Sequence, residues 1–213
     1  YHTDSPQYRA VTQSIFTDLL IKGEIIEDLR PNLYDPVEGT TIADAEVKRI
    51  TRKTNLAHIR WSLEDGGEII ISTTRPELIC ACGVVLVHPD DNRYRDMIGK
   101  TARLPIKVKG RSDKVKILSH PSVKMEFGSG VLMVCSYGDQ NDVSVFRELK
   151  LEPFQAIDLE GRMTGIADQL EGMLVAEARS AAIEMLSSDG RLEGLEERDC
   201  LLYTSPSPRD YGT

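Results

Sequence analysis

The sequence predicts a mixed α/β fold, with a β-barrel-like body and flanking helices. Three observations support this class. Several short apolar runs lie between turn-forming residues, as at 69–71 and 131–135, and such runs are typical of strands buried on both faces. Helical stripes are few. Turn signals recur at loop-length spacing, which favours a compact barrel or a curled sheet over a helical bundle.

The first helix is predicted from its capping residues. Ser5 precedes Pro6, which suits a helix N-terminus, and Gly23 suits the C-terminal end. Apolar residues follow at helical spacing, namely Tyr8, Val11, Ile15 and Leu19. We expect this stripe to be exposed, because no obvious partner for it exists elsewhere in the sequence.

Strands and turns account for most of the middle of the chain. The turn 64–67 predicts a hairpin joining the region of Trp61 to residues 69–71. Residues 78–87 predict a buried strand, and residues 106–109 and 115–117 predict a second hairpin about the turn 110–113. After the strand at 131–135, Asp142 precedes a short helix. A strand and turn follow at 156–161, and a helix runs from Val175 to near Gly190.

Length, charge and cysteine content limit the classes of function. The 213 residues suit one domain with appendages, and the chain, which does not begin with Met, is expected to be a fragment. A net charge of −8 argues against broad binding to nucleic acid. Two explanations stay open for a cluster of basic residues, a narrow basic groove and the solvated faces of strands. The cluster has seven members: Lys100, Arg103, Lys107, Lys109, Arg111, Lys114 and Lys116.

We expect a cytoplasmic protein without a membrane segment. No apolar run approaches the ~20 residues of a membrane helix, and no signal peptide pattern is present. Four cysteines fit a reducing compartment. Cys80 and Cys82 fit buried thiols better than zinc ligands. Cys135 is a possible nucleophile, but no candidate base is evident near it in the sequence.

Polar residues at the ends of two predicted strands form the candidate site. Thr73, Thr74 and Arg75 follow one strand, and Asp139 and Asp142 follow the other. Hydroxyls, a guanidinium and two carboxylates could converge at one rim of the sheet. Simpler explanations exist for each group: a helix N-cap for Asp142, β-branched strand residues for the threonines and a surface ion pair for Arg75.

Four motifs, taken in order and spacing, resemble the inserted editing domain of valyl-tRNA synthetase. They are T-T-R-P-E at 73–77, V-H-P-D-D at 87–91, G-S-G at 128–130 and G-D-Q-N-D at 138–142. The resemblance covers about residues 1–198. It implies a catalytic-core segment at 1–50, an editing domain at 51–198, and a non-native or disordered tail at 199–213 that does not resemble the family.

The resemblance implies hydrolysis of mischarged threonyl-tRNA(Val) at the ester bond. Asp142 would hold the α-amino group, and Asp139 would accept the threonine hydroxyl. Thr73, Thr74 and Arg75 would line the side of the terminal adenosine and the ester. The catalytic residues would be Asp142, Asp139 and Arg75, and the partners would be the tRNA acceptor end and the missing catalytic core. An isoleucyl- or leucyl-type editing domain and a non-catalytic tRNA-binding fragment are the alternatives.

Several positions depart from the family pattern. Met133, Cys135 and Gly138 replace a lysine, a threonine and a histidine that many members carry. Asp35 and Glu38 stand where the family's zinc module has cysteines, so no metal site is expected. Because the ATP-binding signatures are absent, no cofactor is expected in this segment, and ATP and Mg²⁺ are expected only for the full-length enzyme.

Overall fold

The computed structural model describes residues 2–27 and 31–204, which divide into two compact units at residues 32 and 33. The first unit contains helix α1, Pro6–Ile21. Ser5 caps it, because its Oγ accepts the Tyr8 N–H at 3.3 Å. None of its residues is buried, and its apolar stripe is 36–59% exposed, as the sequence predicts.

The second unit combines three sheets with two α-helices among the described residues. Helices α2 and α3 cover Gln140–Glu148 and Val175–Ser188. The strands are β1 Tyr34–Asp35, β2 Thr40–Thr41, β3 Lys48–Ser62, β4 Glu68–Thr73, β5 Cys82–Val87, β6 Thr101–Arg103, β7 Lys114–Ser119, β8 Val131–Cys135 and β9 Leu192–Thr204. The sheets have the orders β1-β2, β4-β3-β9 and β6-β7-β5-β8. The mixed α/β class is confirmed, although the strands within these residues form separate sheets and no closed barrel.

The β3–β4 hairpin forms as predicted around Gly66 and Gly67, whose φ angles of +91° and +89° suit glycine. Two other strand predictions are wrong in part. Residues 76–81 form a 3₁₀ helix that begins at Pro76, so the strand predicted at 78–87 starts only at Cys82. The second hairpin is made by β6 and β7, not by residues 106–109. Pro105 carries no N–H and stops the pairing at Leu104.

The core lies on both faces of β5, and this places the ends of β4 and β8 close together. The larger cluster includes Trp61, Ile79 and Leu186, all fully buried. A smaller cluster packs α2 against the sheet through Val145 and Phe146. None of the helices in the described parts of the chain is both long and apolar enough to cross a membrane.

The predicted domain boundaries do not coincide with breaks in the structure. The boundary at 50/51 lies inside β3, and the one at 198/199 lies inside β9. The first residues of the predicted tail, 199–204, are strand, because their backbone continues the antiparallel ladder to residues 48–53. The rest of that tail lies outside the described residues. The three-part division stays a prediction about the parent protein.

Candidate functional site

Arg75 connects the end of β4 to the loop after β8. Strand β4 ends at Thr73, whose Oγ1 accepts the Arg75 N–H at 3.0 Å. The Arg75 guanidinium donates from Nη1 to the Gly138 carbonyl at 2.8 Å and from Nε to Glu77 Oε1 at 3.3 Å. Thr74 lies partly buried in the bend between Thr73 and Arg75. Arg75 is therefore in an ion pair with a buried acid and not in the surface pair considered for it, and the same side chain also holds the loop before Asp139.

Glu77 is the buried charge of this region, with 0% of its surface exposed. Arg179 from α3 binds it with two hydrogen bonds, from Nη2 to Oε1 at 2.8 Å and from Nε to Oε2 at 3.0 Å. The sequence analysis gave no role to Glu77 or Arg179. The available signal was an acidic residue directly before the buried run 78–87.

Asp139, not Asp142, is the N-cap of α2. Asp139 Oδ1 accepts the Asp142 N–H at 2.8 Å, and the helix begins at Gln140. The simpler explanation offered for Asp142, a helix N-cap, is therefore wrong for that residue, and the capping role belongs to Asp139. Asp142 lies in the first turn, partly buried, and its Oδ2 accepts the Cys135 N–H at 3.2 Å. The carboxylate is thus folded back under the end of β8.

Burial and, after it, the nearby Asp139 charge raise the pKa of Asp142 to about 7, against the opposing effects of the Cys135 N–H and Arg75. At neutral pH the carboxyl group is therefore divided between its neutral and ionised forms. A cation placed against it would favour the ionised form. This is the property expected of a carboxylate that receives an ammonium group.

Gly138 makes this position of Asp142 possible. A Cβ atom at residue 138 would lie 2.0 Å from Asp142 Oδ2 and 3.1 Å from its Cγ. The preceding Tyr137 adopts a left-handed conformation with φ of +56°, which tightens the turn between β8 and α2. The glycine at this position thus leaves room for the carboxylate.

The cysteines fit structural thiols. Cys135 is buried, its Sγ donates to the Leu78 carbonyl at 3.2 Å, and burial raises its pKa well above the ordinary value. Burial likewise raises the pKa of Cys80 to about 12. Because the thiolate is the nucleophile, neither group is suited to covalent catalysis at neutral pH.

A second polar cluster holds the G-S-G loop beside β4. Ser72 Oγ accepts the Ser129 N–H at 3.0 Å and lies 2.8 Å from His58 Nδ1. Gly128 packs so closely that a Cβ there would lie 2.6 Å from Ser72 Cβ. The sequence analysis did not link His58 to this loop, since the contact joins residues of three separate segments. The cluster fixes the loop next to Thr73.

A groove of about 1090 Å³ is lined by other residues, including Ile106, Arg111 and Met185. The predicted site residues are not among those described as lining it. Basic residues near it pair with acids: Lys109 lies 3.3 Å from Asp168 and Arg103 lies 2.8 Å from Asp113. This pairing favours solvated, neutralised strands over a basic groove for the 100–116 cluster.

Comparison with solved structures gives the class of the fold. The chain is similar to a LeuRS from Agrobacterium radiobacter K84, solved in a ternary complex with tRNA and LeuAMS. The TM-score is 0.52 over 94% of this chain and 33% of that one, at 18% identity. The chain thus shares its fold with about a third of that LeuRS chain. No family model matches the sequence.

Sequence comparison finds relatives among the valine–tRNA ligases. The valine–tRNA ligase of Aeropyrum pernix is 42% identical over 191 residues, which cover 89% of this chain and 23% of the relative. That of Nanoarchaeum equitans is also 42% identical, with 92% and 26% covered. The chain spans about a quarter of the length of these relatives. The predicted resemblance is confirmed: the chain is related to a segment of the valine–tRNA ligases.

Proposed function

We propose that the chain is an editing domain that hydrolyses threonyl-tRNA(Val). The observation that carries the proposal is Asp142, a partly buried carboxylate whose pKa is raised to about 7 at the end of β8, next to Arg75 and Asp139. An ammonium group needs a fixed carboxylate, and an ester carbonyl gains from a nearby cation when negative charge develops on it.

The roles divide between the two carboxylates. Asp142 receives the α-ammonium group of the aminoacyl ester. One oxygen of Asp139 caps α2, and the exposed carboxylate keeps its second oxygen for the threonine hydroxyl. Thr73 and Thr74 line the adenosine side at the end of β4. Positioning of the ester and of a water molecule, with charge stabilisation by Arg75, supplies the catalysis.

The need for such a site follows from the size of the two amino acids. An apolar pocket built for valine rejects isosteric threonine only about a hundredfold, so a second site must remove the error. The proposed partners are the acceptor end of a mischarged tRNA and the remainder of the synthetase, in the cytoplasm. With a net charge of −8, the domain would contact tRNA locally and not over its whole surface.

The decisive experiment measures deacylation of threonyl-tRNA(Val) by the chain and by Asp142→Ala. The variant should lose at least about a hundredfold in rate, because it leaves a desolvated ammonium unpaired. Asp90→Ala is the matched control, since Asp90 is an exposed carboxylate outside the site. An unaltered rate for Asp142→Ala would contradict the proposal.

A panel of mischarged tRNAs separates the alternatives. Faster hydrolysis of an isoleucyl- or leucyl-system substrate would indicate an editing domain of that type. Binding of tRNA ends without hydrolysis of any aminoacyl ester would indicate a non-catalytic fragment.

A further inference from the structure

One carboxylate oxygen, Glu77 Oε1, is shared by two arginines from distant parts of the chain. Arg179 Nη2 donates to it at 2.8 Å, and Arg75 Nε donates to it at 3.3 Å. The second oxygen, Oε2, accepts from Arg179 Nε at 3.0 Å. Arg179 and Glu77 are 102 residues apart in sequence, so α3 supplies a partner to a segment far from it along the chain.

Arg179 contacts both oxygens of Glu77 and so fixes the orientation of its carboxylate. The two parallel hydrogen bonds from Arg179 form the planar, two-point contact that a guanidinium makes with a carboxylate, and they hold the carboxylate plane. Because Glu77 is fully buried, water does not replace these donors. The position of Oε1, and with it the Nε of Arg75, is therefore set by Arg179.

The contact continues to the candidate site. With its Nε held by Glu77, Arg75 presents Nη1 to the Gly138 carbonyl at 2.8 Å. Gly138 is the residue against which Asp142 Oδ2 packs. A series of contacts thus runs from Arg179 through Glu77 and Arg75 to the turn that carries Asp139 and Asp142.

We propose that Arg179 is a positioning residue for hydrolysis at the Asp139–Asp142 turn, acting through Glu77 to hold Arg75 against the Gly138 carbonyl. The proposal rests on the proposed editing function. Without Arg179, Glu77 keeps only Arg75 as a cationic partner. The Arg75 guanidinium then turns both Nε and Nη1 to Glu77, releases the Gly138 carbonyl and moves its charge away from Asp142.

The test compares Arg179→Gln and Arg179→Lys with the unaltered chain. For threonyl-tRNA(Val) deacylation, Arg179→Gln should lower kcat about tenfold or more and change KM less than about twofold, because the orientation of reacting groups is lost while substrate contacts stay. Arg179→Lys keeps the charge without the two-point contact, so its kcat should lie between those of Arg179→Gln and the unaltered chain. Arg9→Gln, which removes an arginine from an exposed ion pair with Asp4, should match the unaltered chain.

A second measurement is independent of activity. Carboxyl ¹³C chemical shifts of Asp142, followed against pH, should give a higher pKa in Arg179→Gln than in the unaltered chain, since Arg75 lowers it in the native arrangement. A merely structural role for Arg179 would reduce stability and leave this titration unchanged.

The outcomes are distinguishable. A folded Arg179→Gln variant with native kcat and an unchanged Asp142 titration would overturn the inference while the editing function stands. If the unaltered chain hydrolyses no aminoacyl-tRNA, the proposed function fails, and the Asp142 titration still decides whether Arg179 controls the turn. If Arg179→Gln does not fold, Arg179→Lys carries both measurements, and native values for that variant would overturn the inference.

Discussion

Glu77 and Asp142 are two carboxylates near Arg75, and their surroundings differ. Glu77 is fully buried and receives three guanidinium N–H groups from Arg75 and Arg179. Asp142 is partly buried, receives one backbone N–H from Cys135 and lies beside another acid, Asp139. Both carboxylates are withdrawn from water, yet only Glu77 has cationic donors directly bonded to it.

The difference indicates different roles. A buried carboxylate that is already bonded to its cationic partners stabilises the fold, and its loss leaves those partners unpaired. A partly buried carboxylate that lacks a directly bonded cation is ready to accept one from a ligand. The groove of about 1090 Å³ does not make this distinction, since neither Glu77 nor Asp142 lines it.

The largest expected effect concerns stability at Glu77. Glu77→Ala should lower the free energy of unfolding by about 3–5 kcal/mol, because two arginines lose a buried partner. Urea unfolding followed by circular dichroism measures this, with the exposed Glu152→Ala as the control. A loss below about 1 kcal/mol would show that the arginines rearrange at little cost.

The next effect separates the two aspartates of the turn. Asp139→Asn should slow hydrolysis of threonyl-tRNA about ten- to a hundredfold, because the hydroxyl loses a charged acceptor. Hydrolysis of valyl-tRNA, which presents no side-chain hydroxyl, should change far less. Asparagine can still cap α2, so the helix is retained. Equal losses for both substrates would mean that Asp139 does not recognise the hydroxyl.

A smaller effect is expected at Gly138. Gly138→Ala places a Cβ 2.0 Å from the present position of Asp142 Oδ2, so that side chain must rotate away from the Cys135 N–H. Deacylation should fall about tenfold, corresponding to about 1.4 kcal/mol. Gly194→Ala is the matched control, since no atom lies within 4 Å of a Cβ at that position. Native activity in Gly138→Ala would show that the observed Asp142 position is not required.

The sequence predicted what depends on neighbouring residues. Ser5 and Pro6 located the start of α1, and Gly66 and Gly67 located the first hairpin, because caps and tight turns depend on local backbone chemistry. One contact between distant residues is an exception: the convergence of Arg75 with the turn before Asp142 was expected from polar residues at two strand ends.

The sequence could not predict what depends on partners far along the chain. The Glu77–Arg179 pair joins residues 102 positions apart, and no local pattern relates them. The strand predicted at 106–109 failed because alternating residues satisfy a strand pattern, while Pro105 directs the chain away from the ladder. The N-cap was assigned one turn too late, since Asp139 and Asp142 both suit a helix start and only the hydrogen bond distinguishes them.

The smallest expected effect is on pH dependence, and it has opposite signs for activity and stability. In the proposed function the ammonium group pairs with ionised Asp142, whose pKa is raised to about 7. The deacylation rate should therefore rise about tenfold between about pH 6 and pH 8 and then level off. The folded-state pKa lies above the ordinary value of 3.8, so protonation of Asp142 favours the folded chain, and that contribution is lost as pH rises through about 7.

Asp142→Asn should flatten both profiles, the rate against pH and the stability against pH, after subtraction of uncatalysed ester hydrolysis. Asp139→Asn, which removes a charge that raises the pKa, should shift the midpoint of the rate profile to lower pH. A rate profile that stays the same in Asp139→Asn would show that the two carboxyl groups are not electrostatically linked, and Asp142 would then owe its raised pKa to burial alone.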